Sequence, residues 1–420
     1  MKIAIVPDCH LNKSIYKGVM DKEFSDVPFR SADFMRAFRY IVDKCVNELH
    51  PDLFVIPGDT YENWHPSNEI RGFLSKQVAK LRNAKIAVVI LIGNHEICSK
   101  HHALQDIQEL GLKSIRIVDR PAILNFKELR LLLFPYSLDI EQKKITLRDE
   151  FHKFVEGIKE QDNQFSIFFG HCGVQGAKLN EYTISSLVTR STTTEMEVDK
   201  REFKNKNPND LTLEDLDSIG AEYVILGDYH QHQLLETKNC ISMYPGSIEK
   251  TDFTEVDQKK GFILYDSDAE YIDMVGKCRF VEYPKCRPMI ELKGNFMDMR
   301  QKFSECKLED FQEAIVKLNF VGSKEEHASF SSGIEDFQKE IREKINPIHM
   351  FNVQDVQNEE EEEAASELVK EIMEKGHLQA DDVMNVVKEM VKEKVSDDEE
   401  CEKTIDLGIE IYKDTMGEPK

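Results

Sequence analysis

The stretch VILGDYHQHQLL (residues 224–235) sets a short apolar run directly before a glycine and three polar side chains. A continuous apolar run is typical of a strand that is buried on both faces of a sheet. Gly227 lets the backbone turn sharply after that strand, and Asp228, His230 and His232 follow. Aspartate and histidine are candidate metal ligands, and we expect two of these three side chains to bind an ion.

The same arrangement recurs behind four other apolar runs. KIAIV, DLFVI, IAVVILI and FSIFF have the length and composition of buried strands. The polar residues that follow them are Asp8 and His10, Asp59, Asn94 and His95, and His171. A single residue of this kind is more often a turn or cap residue. Because ligands bind at the carboxyl ends of strands in α/β sheets, five strand ends in series predict one polar site.

The side-chain chemistry of these strand ends predicts a site for two divalent cations. Two ions about 3.5–4 Å apart need several ligands, with at least one bridging carboxylate. Mixed carboxylate, amide and imidazole ligands suit Mn²⁺, with Mg²⁺, Fe or Zn as alternatives. The nine cysteines are scattered without a CxxC pair, so neither a structural zinc site nor a disulfide framework is indicated.

Helical patterns alternate with the apolar runs. SADFMRAFRYIVDKCVNEL (residues 31–49) places Phe34, Phe38 and Ile41 on one face, and SNEIRGFLSKQVAKLRN (67–83) repeats this role before the third run. The alternation predicts an α/β core in which helices cover a sheet. Between the fourth and fifth runs, residues 189–210 are polar and predict a long loop.

The pattern of apolar and polar residues changes after residue 266. The short runs YIDMV, RFVEY, PMIELK and AIVKLNFVG precede a helical GIEDFQKEIREKI, which predicts a smaller α+β domain over residues 267–350. Clustered glutamates predict an acidic linker over residues 351–363. Two amphipathic patterns then predict a helical tail over residues 364–420. The main domain is expected to occupy residues 1–266.

The overall charge limits the kinds of partner. The chain has 55 Lys and Arg against 78 Asp and Glu, a net charge of −23. A protein that holds nucleic acid mainly through charge should be basic, so any DNA contact would rely on metals, local patches or a partner subunit. No signal-peptide pattern and no membrane-spanning apolar run is present. We expect a cytoplasmic protein without membrane contact.

The motifs DCH, GD, GNH, GH and GDYH, in this order, resemble those of the calcineurin-like metallophosphoesterase superfamily. A narrower resemblance covers residues 223–266, where YVILGDYHQHQ, YPGS, DFTE and KGF are similar to the SbcD-type nuclease family. Those proteins are the nuclease components of double-strand-break repair complexes in bacteria, archaea, eukaryotes and phages. The resemblance extends over roughly residues 1–266. It implies a core of two sheet layers sandwiched by helices, with a capping domain that binds DNA.

The resemblance implies a role for each strand-end residue. The ligands of one ion would be Asp8, His10, Asp59 and His230. The ligands of the other would be Asp59, Asn94, His171 and Asp228, so that Asp59 bridges the ions. His95 would be the catalytic residue, acting as a general acid or orienting the scissile phosphate, because imidazole titrates near neutral pH.

Asp228 departs from the family pattern, which is usually GHxH with a histidine at this position. A carboxylate can replace that histidine and would favour Mn²⁺ or Mg²⁺ over softer metals. The alternative assignment makes His230 and His232 the ligand pair and leaves Asp228 behind them as a hydrogen-bonding partner. The positions of Gly227 and Gln233 favour Asp228 and His230.

The resemblance also implies a substrate and partners. It implies an exonuclease and endonuclease that acts on DNA ends in recombination and repair, with residues 67–83 as a candidate homodimer surface. The tail over residues 364–420 would bind the coiled coil of an SMC-like ATPase. Tyr61, Trp64 and Ser247 are candidate substrate-binding residues at the rim of the site, Trp64 by stacking on a base.

Two other functions fit the same metal motifs. A phosphomonoesterase or protein phosphatase would use the same ions on a smaller substrate. A non-catalytic scaffold would only recruit the ATPase to DNA ends. The YPGS and DFTE segments, the smaller domain and the tail favour the nuclease, and the nearly complete ligand set with His95 argues against the scaffold.

Overall fold

The computed structural model describes residues 1–16, 19–24, 26–159, 165–178, 207, 209–269 and 276–357. Several predicted features lie outside these residues. They are the YIDMV strand, most of the polar segment over 189–210, the part of the acidic linker beyond residue 357, and the helical tail over 364–420.

Strands and helices alternate through the described chain. The strands are β1 (Lys2–Ile5), β2 (Leu53–Pro57), β3 (Ala87–Leu91), β4 (Ile97–Cys98), β5 (His101–His102), β6 (Ile115–Val118), β7 (Ala122–Phe126), β8 (Leu129–Phe134), β9 (Ser166–His171), β10 (Tyr223–Gly227), β11 (Gln233–Leu235), β12 (Ile241–Tyr244), β13 (Gly261–Asp266), β14 (Cys278–Glu282), β15 (Met289–Gly294), β16 (Ile315–Ser323) and β17 (His349–Gln357). The helices are α1 (Phe29–Lys44), α2 (Asn68–Asn83), α3 (Gln105–Glu109), α4 (Leu138–Glu141), α5 (Leu147–Lys159), α6 (Leu213–Asp217), α7 (Phe296–Glu305) and α8 (Lys324–Ile345).

Two six-stranded sheets form the core. The first has the order β14-β13-β1-β2-β3-β6, with β1, β2, β3 and β6 parallel and the antiparallel pair β13 and β14 at one edge. The second has the order β11-β12-β10-β9-β8-β7, with β12, β10, β9 and β8 parallel and β11 and β7 antiparallel at the edges. The parallel strands of each sheet therefore deliver their carboxyl ends to a common edge.

Alternating side chains of both sheets meet in a central apolar layer. Ile3 and Ile5 of β1 lie in the same buried cluster as Phe169 of β9 and Ile225 of β10. Successive side chains on a strand point to opposite faces, so the residues between these positions lie on the outer faces of the sheets. The predicted core of two sheet layers follows from this pairing of inner faces.

Helices cover the outer face of each sheet. Phe54 of β2 packs with Phe38 of α1 at a ring distance of 6.0 Å, in a cluster that α2 also enters. On the other side, Phe168 of β9 packs with Phe151 of α5 at 6.1 Å. Complete burial of each such ring stabilises the fold by about 1.5–3 kcal/mol. The predicted α/β core with helices on both outer faces is confirmed.

The first helix follows its predicted pattern closely. It begins at Phe29, after Pro28, and continues beyond Lys44 as a π-helical turn over Cys45–Leu49. His50 then takes a left-handed conformation with φ 49°, which ends the helix. The residues predicted on the apolar face of this helix are buried beneath the first sheet.

Strand β14, quoted above as RFVEY, belongs to the core. It pairs with β13 along the edge of the first sheet, whereas the sequence placed it in the smaller domain over residues 267–350. The reason for the difference is that a short alternating strand does not reveal which sheet edge it will join. The first compact unit takes the described residues through Ile290 together with Phe311–Ile315, and the second takes Glu291–Asp310 and the described residues from Val316.

The second unit contains the smaller sheet, with strand order β15-β16-β17. Helix α8 buries Phe330, Phe337 and Ile341, and Phe296 of α7 packs against Phe337 at 5.9 Å. Strand β17 ends at Gln357, so part of the segment predicted as an acidic linker is strand. None of the helices in the described part of the chain has the length and apolar character needed to cross a bilayer.

Candidate metal centre

Four of the residues that follow the core strands share an unusual backbone conformation. Asp8, Asp59 and Asp228 have φ values of 49°, 49° and 105°, and His10 has 40°. A residue with a side chain seldom adopts positive φ, and holding it there costs roughly 1–3 kcal/mol. This conformation turns each side chain back towards the common edge of the two sheets.

Glycines beside the ligand candidates are required by close approach. A Cβ at Gly58, which has φ 97°, would lie 2.0 Å from Nδ1 of His171. A Cβ at Gly93 would lie 2.1 Å from Oδ1 of Asp59. A larger residue at Gly58 would therefore displace His171, and one at Gly93 would displace Asp59.

Asp59 lies at the centre of the candidate site. Its Oδ1 is 3.3 Å from Nε2 of His171. Its Oδ2 is 3.8 Å from Nε2 of His10 and 3.9 Å from Nε2 of His95. With only 2% of its surface exposed, Asp59 faces two groups of potential ligands at once.

The first group is fully buried. Ligand atoms of Asp8, Asp59 and His171 all lie within 4.8 Å of one another. Nε2 of His171 is 2.9 Å from Oδ1 of Asn94, and the backbone N–H of Asp228 donates to Oδ1 of Asp8 at 3.0 Å. Oδ2 of Asp8 is buried and has no hydrogen-bond partner among the described residues. A buried carboxylate oxygen left in this way fits a cation.

The second group contains more histidine. Ligand atoms of His10, Glu62 and His95 lie within 4.8 Å of one another, and Nε2 of His10 is 3.0 Å from Nε2 of His230. Two imidazole Nε2 atoms at this distance share a proton or a metal ion. The side chain of His95 is 40% exposed, so this group opens to solvent.

In each of the four predicted site histidines, Nδ1 faces an oxygen acceptor. The partners are the Glu62 carboxylate for His10 (2.8 Å), the Pro57 carbonyl for His171 (2.9 Å), the Glu62 carbonyl for His95 (2.8 Å) and the Glu255 carboxylate for His230 (3.0 Å). A neutral imidazole with its proton on Nδ1 keeps a lone pair on Nε2. The rings of His95, His171 and His230 are therefore arranged to present Nε2 to a ligand, which is the usual arrangement of metal-binding histidines. Nδ1 of His10 lies close to the Glu62 carboxylate but lacks the geometry of a hydrogen bond to it.

Burial and mutual charge shift the pKa values of these groups. Burial raises the pKa of Asp8 to about 7 and lowers the pKa of His10 to about 4. Burial also opposes the ionised form of Asp59, but the charges of His171, His10 and His95 outweigh it and hold that pKa below its ordinary value. Burial opposes the charged form of His171 too, yet the charge of Asp59 raises its pKa to about 10. The cluster is thus short of positive charge, which divalent cations would supply.

The donor set fits divalent cations. Buried carboxylate oxygens, the amide oxygen of the exposed Asn94 and imidazole nitrogens make up the set, a mixture that suits Mn²⁺ and related ions. The structure brings together the side chains of Asp8, His10, Asp59, Asn94, His171 and His230 through the contacts given above. Asp228 is joined through its backbone N–H, and its burial raises the pKa of its carboxyl group, partly opposed by the charge of His171.

His232 lies in different surroundings from His230. Its Nδ1 is 3.0 Å from the carbonyl oxygen of Tyr244, and its ring stacks on Phe280 at 4.6 Å. Burial lowers the pKa of His232, which agrees with a neutral ring packed on an aromatic side chain. None of the contacts of His232 named here joins it to Asp59 or His10.

The three candidate substrate-binding residues differ in exposure. Tyr61 is 1% exposed within the core beneath the first sheet. Ser247 is fully buried and donates to the carbonyl oxygen of Glu249 at 2.8 Å. Because buried side chains offer no surface to a substrate, these two placements do not support direct contact. Trp64 is 49% exposed and offers a ring face.

Two acidic residues of the site, Glu62 and Glu96, were not predicted from the sequence. Glu62 is partly buried and contacts both His10 and His95. Glu96 accepts hydrogen bonds from the backbone N–H groups of Gly93 (2.8 Å) and Tyr61 (3.2 Å), and burial raises its pKa to about 8. The sequence could have indicated both residues, since each is an acidic residue close to a predicted ligand.

Comparison with known proteins gives a family match over the region that holds this site. The family model described as calcineurin-like phosphoesterase matches residues 1–232. That range contains all the strand ends described above.

Individual relatives are similar at low identity. The chain is 26% identical to the SbcD component of the nuclease SbcCD of Staphylococcus epidermidis over 72% of this chain and 75% of that protein. It is 25% identical to the DNA double-strand break repair protein Mre11 of Archaeoglobus fulgidus over 63% of this chain and 57% of that protein. It is 20% identical to the uncharacterized metallophosphoesterase YhaO of Bacillus subtilis over 62% of this chain and 54% of that protein. The chain thus spans somewhat over half the length of the last two relatives.

Proposed function

This chain belongs to the calcineurin-like phosphoesterase family, and from that premise we propose that it hydrolyses phosphodiester bonds at DNA ends with two Mn²⁺ ions. The observation that carries the proposal is the position of Asp59. This buried carboxylate faces the acidic group on one side and the histidine group on the other, as a bridge between two ions must.

The choice of DNA over a small phosphate ester rests on the relatives. Two of them are named as a component of a nuclease and as a double-strand break repair protein. The YPGS, DFTE and KGF segments, which resemble the SbcD-type nucleases, pack behind His230 in this chain. The chain also has a second unit with its own three-stranded sheet, which would be the capping domain that the resemblance implies.

The residues around Asp59 would bind the two cations and assist hydrolysis. The sequence assigned Asp8 to the ion of His10 and His230. Because its ligand atoms lie with those of Asp59 and His171, Asp8 would instead join Asn94, His171 and Asp228 around one divalent cation, and His10 and His230 would hold the other. When bound, two such ions activate water and stabilise the charge that develops on the attacking and leaving oxygens. His95 is the exposed histidine of the cluster, with its Nδ1 anchored on the Glu62 carbonyl oxygen. Its Nε2 would protonate the leaving oxygen or orient the scissile phosphate.

The proposed partner is an SMC-like ATPase. The helices predicted over residues 364–420 would bind its coiled coil, because two short amphipathic helices after an acidic segment need another surface to bury their apolar faces. A pull-down with the purified ATPase tests this. Removal of residues 360–420 should abolish capture, whereas unchanged capture would contradict the assignment. A homodimer through residues 67–83 belongs to the same proposal and is checked by mass photometry.

One assay separates the proposed function from its alternatives. The purified chain with Mn²⁺ is offered linear duplex DNA, single-stranded DNA and p-nitrophenyl phosphate. Cleavage of DNA that is lost in His95→Ala supports the nuclease. Preferred hydrolysis of the monoester would instead identify a phosphomonoesterase. Two bound Mn²⁺ ions without turnover of any substrate would identify a scaffold.

A further inference from the structure

A buried pair of opposite charges lies directly behind His230. Glu255 ends the 3₁₀ turn Phe253–Glu255 and is fully buried, and Lys260 is 1% exposed. The ammonium of Lys260 and Oε2 of Glu255 are 2.8 Å apart. Burying two charges is costly unless both are well satisfied, and the proposed hydrolysis assigns no task to either residue.

The two carboxylate oxygens of Glu255 face different kinds of group. Oε2 accepts from the backbone N–H of Thr251 at 2.7 Å and forms an ion pair with Nζ of Lys260 at 2.8 Å. Oε1 accepts from Oγ1 of Thr251 at 2.6 Å and lies 3.0 Å from Nδ1 of His230, and that Nδ1 is also 3.2 Å from Oγ1 of Thr251. The groups at Oε2 can only donate. The hydroxyl and imidazole at Oε1 can either donate or accept.

Lys260 holds the backbone of the same histidine. Its Nζ donates to the carbonyl oxygen of His230 at 2.9 Å, to Oγ of Ser247 at 3.0 Å and to Oε1 of Gln258 at 2.9 Å. Gly246, with φ 83°, packs so closely that a Cβ there would lie 2.6 Å from the carbonyl oxygen of His230. The ring and the backbone of His230 are therefore held by one connected set of residues.

We propose that Glu255 and Lys260 form a positioning pair that commits His230 to the tautomer with its proton on Nδ1, so that Nε2 is left to bind a divalent cation. The inference rests on the proposed role of His230 as a metal ligand. Lys260 orients the carboxylate by occupying Oε2, and Oε1 is then left to accept the Nδ1 proton of His230. This gives the DFTE and KGF segments a task in the site.

The proposed pair predicts that the isosteric variant Glu255→Gln harms metal binding more than an apolar variant does. The glutamine carbonyl must face Thr251 N–H and Lys260, because both are obligate donors. Its NH₂ group then occupies the position of Oε1 and donates to Nδ1 of His230. The ring proton is then favoured on Nε2, where it competes with the metal ion, because the Thr251 hydroxyl at 3.2 Å is the longer of the two contacts of Nδ1.

The apolar variant Glu255→Met should be milder towards the metal. It removes the acceptor without adding a donor, so His230 can still adopt the required tautomer, although its ring is held less firmly. A purely structural role for Glu255 predicts the reverse ranking, since glutamine preserves shape and hydrogen bonding better than methionine does.

The test is a Mn²⁺ titration of the full chain followed by electron paramagnetic resonance of the unbound ion. We expect Glu255→Gln to weaken one of the two Mn²⁺ sites by about 10–100-fold, and Glu255→Met to weaken the same site less. Lys259→Met is the matched control. Lys259 neighbours Lys260 but is exposed and pairs with Glu282 at the surface, so this variant should bind both ions as the wild type does.

A second measurement serves if Glu255→Met does not fold. ¹⁵N spectra of histidine-labelled, metal-free protein, recorded at a pH above the titration of its histidines, report which ring nitrogen of His230 carries the proton. We expect Nδ1 in the wild type and Nε2 in Glu255→Gln. A proton that stays on Nδ1 in this variant, or a Mn²⁺ affinity equal to or better than that of Glu255→Met, overturns the pairing.

Failure of the proposed function gives a different result. If His230→Gln leaves both Mn²⁺ affinities unchanged, His230 is not a ligand and the proposed site itself is wrong. If His230→Gln weakens one site while Glu255→Gln does not, only the positioning pair is wrong.

Discussion

The two sides of Asp59 are built on different principles. On the acidic side, Asp8 and His171 are 0% and 1% exposed, and glycines bring the strand ends into contact. On the histidine side, His10 is equally buried, but its partners come from loops and the side chain of His95 is 40% exposed. The acidic side, called the closed side below, is suited to holding an ion rigidly. The histidine side, called the open side, is the one that a phosphate group can reach.

The most damaging change should be one that removes what both sides share. Asp59→Asn keeps the size of the side chain but lowers the charge of the only carboxylate that we find facing both groups in the described chain. We expect phosphodiesterase activity at the background of an enzyme-free control and weakened binding of both Mn²⁺ ions. Asp139→Asn, an exposed aspartate paired with Lys144, is the control. Loss of only one ion would show that Asp59 does not bridge.

His95→Ala should separate chemistry from metal binding. His95 is placed on the open side with its Nε2 near Asp59 but is not needed to hold an ion in the proposed site. We expect kcat to fall by about 10²–10⁴-fold, the usual contribution of a general acid, with two Mn²⁺ ions still bound. His65→Ala, which changes an exposed histidine nearby, should retain activity. Release of an ion from His95→Ala would move this residue into the ligand set.

Glu62→Gln tests the loop residue that supports the open side. One oxygen of Glu62 faces Nζ of Lys13 at 2.7 Å and the other faces Nδ1 of His10 at 2.8 Å. The glutamine carbonyl should turn to the lysine and leave its NH₂ group against His10, which opposes metal binding at Nε2. Because Glu62 is partly exposed and water can replace it, we expect about tenfold weaker binding of one ion. Glu48→Gln, at an exposed pair with Lys44, should bind Mn²⁺ normally in the same titration.

Removal of the metal should expose the charge imbalance of the closed side. Burial raises the pKa of Asp8 from 3.8 to about 7, so ionisation of Asp8 destabilises the metal-free fold progressively as pH rises from about 4 through 7. A bound cation cancels this penalty. The rise in melting temperature on replacing EDTA with Mn²⁺ should therefore be larger at pH 8 than at pH 5. Scanning fluorimetry measures it, and a rise that does not depend on pH would contradict this account.

The smallest effect is expected at the rim. Trp64 has half of its surface exposed and follows Glu62 by two residues, and stacking on one base contributes about 1 kcal/mol at the low end of measured values. Trp64→Ala should raise the Kd for single-stranded DNA by roughly fivefold, the equivalent of that energy. Hydrolysis of bis-p-nitrophenyl phosphate, which has no base to stack, should not change. Equal loss on both substrates would assign Trp64 to packing.

Local patterns were sufficient for the elements of the core and for the residues that follow its strands. The apolar runs before Asp8, Asp59 and His171 form strands, as predicted. A continuous apolar run indicates a buried strand from neighbouring residues alone. The helical faces around Phe34 and Phe38 were visible for the same reason. The position of β14 at the edge of the first sheet was not visible, because pairing between strands depends on partners that are distant in sequence.

The sequence by itself determined which residues end the core strands, and thereby the side-chain chemistry that this edge of the fold carries. Only the tertiary structure decided what surrounds those residues. It buried Tyr61 and Ser247, placed Glu62 between two histidines, and set Glu255 and Lys260 behind His230. The physical reason is that a periodic pattern in the sequence indicates which face of a helix or strand is buried. Whether a buried charged group is ionised depends on contacts that form only when separate segments pack together.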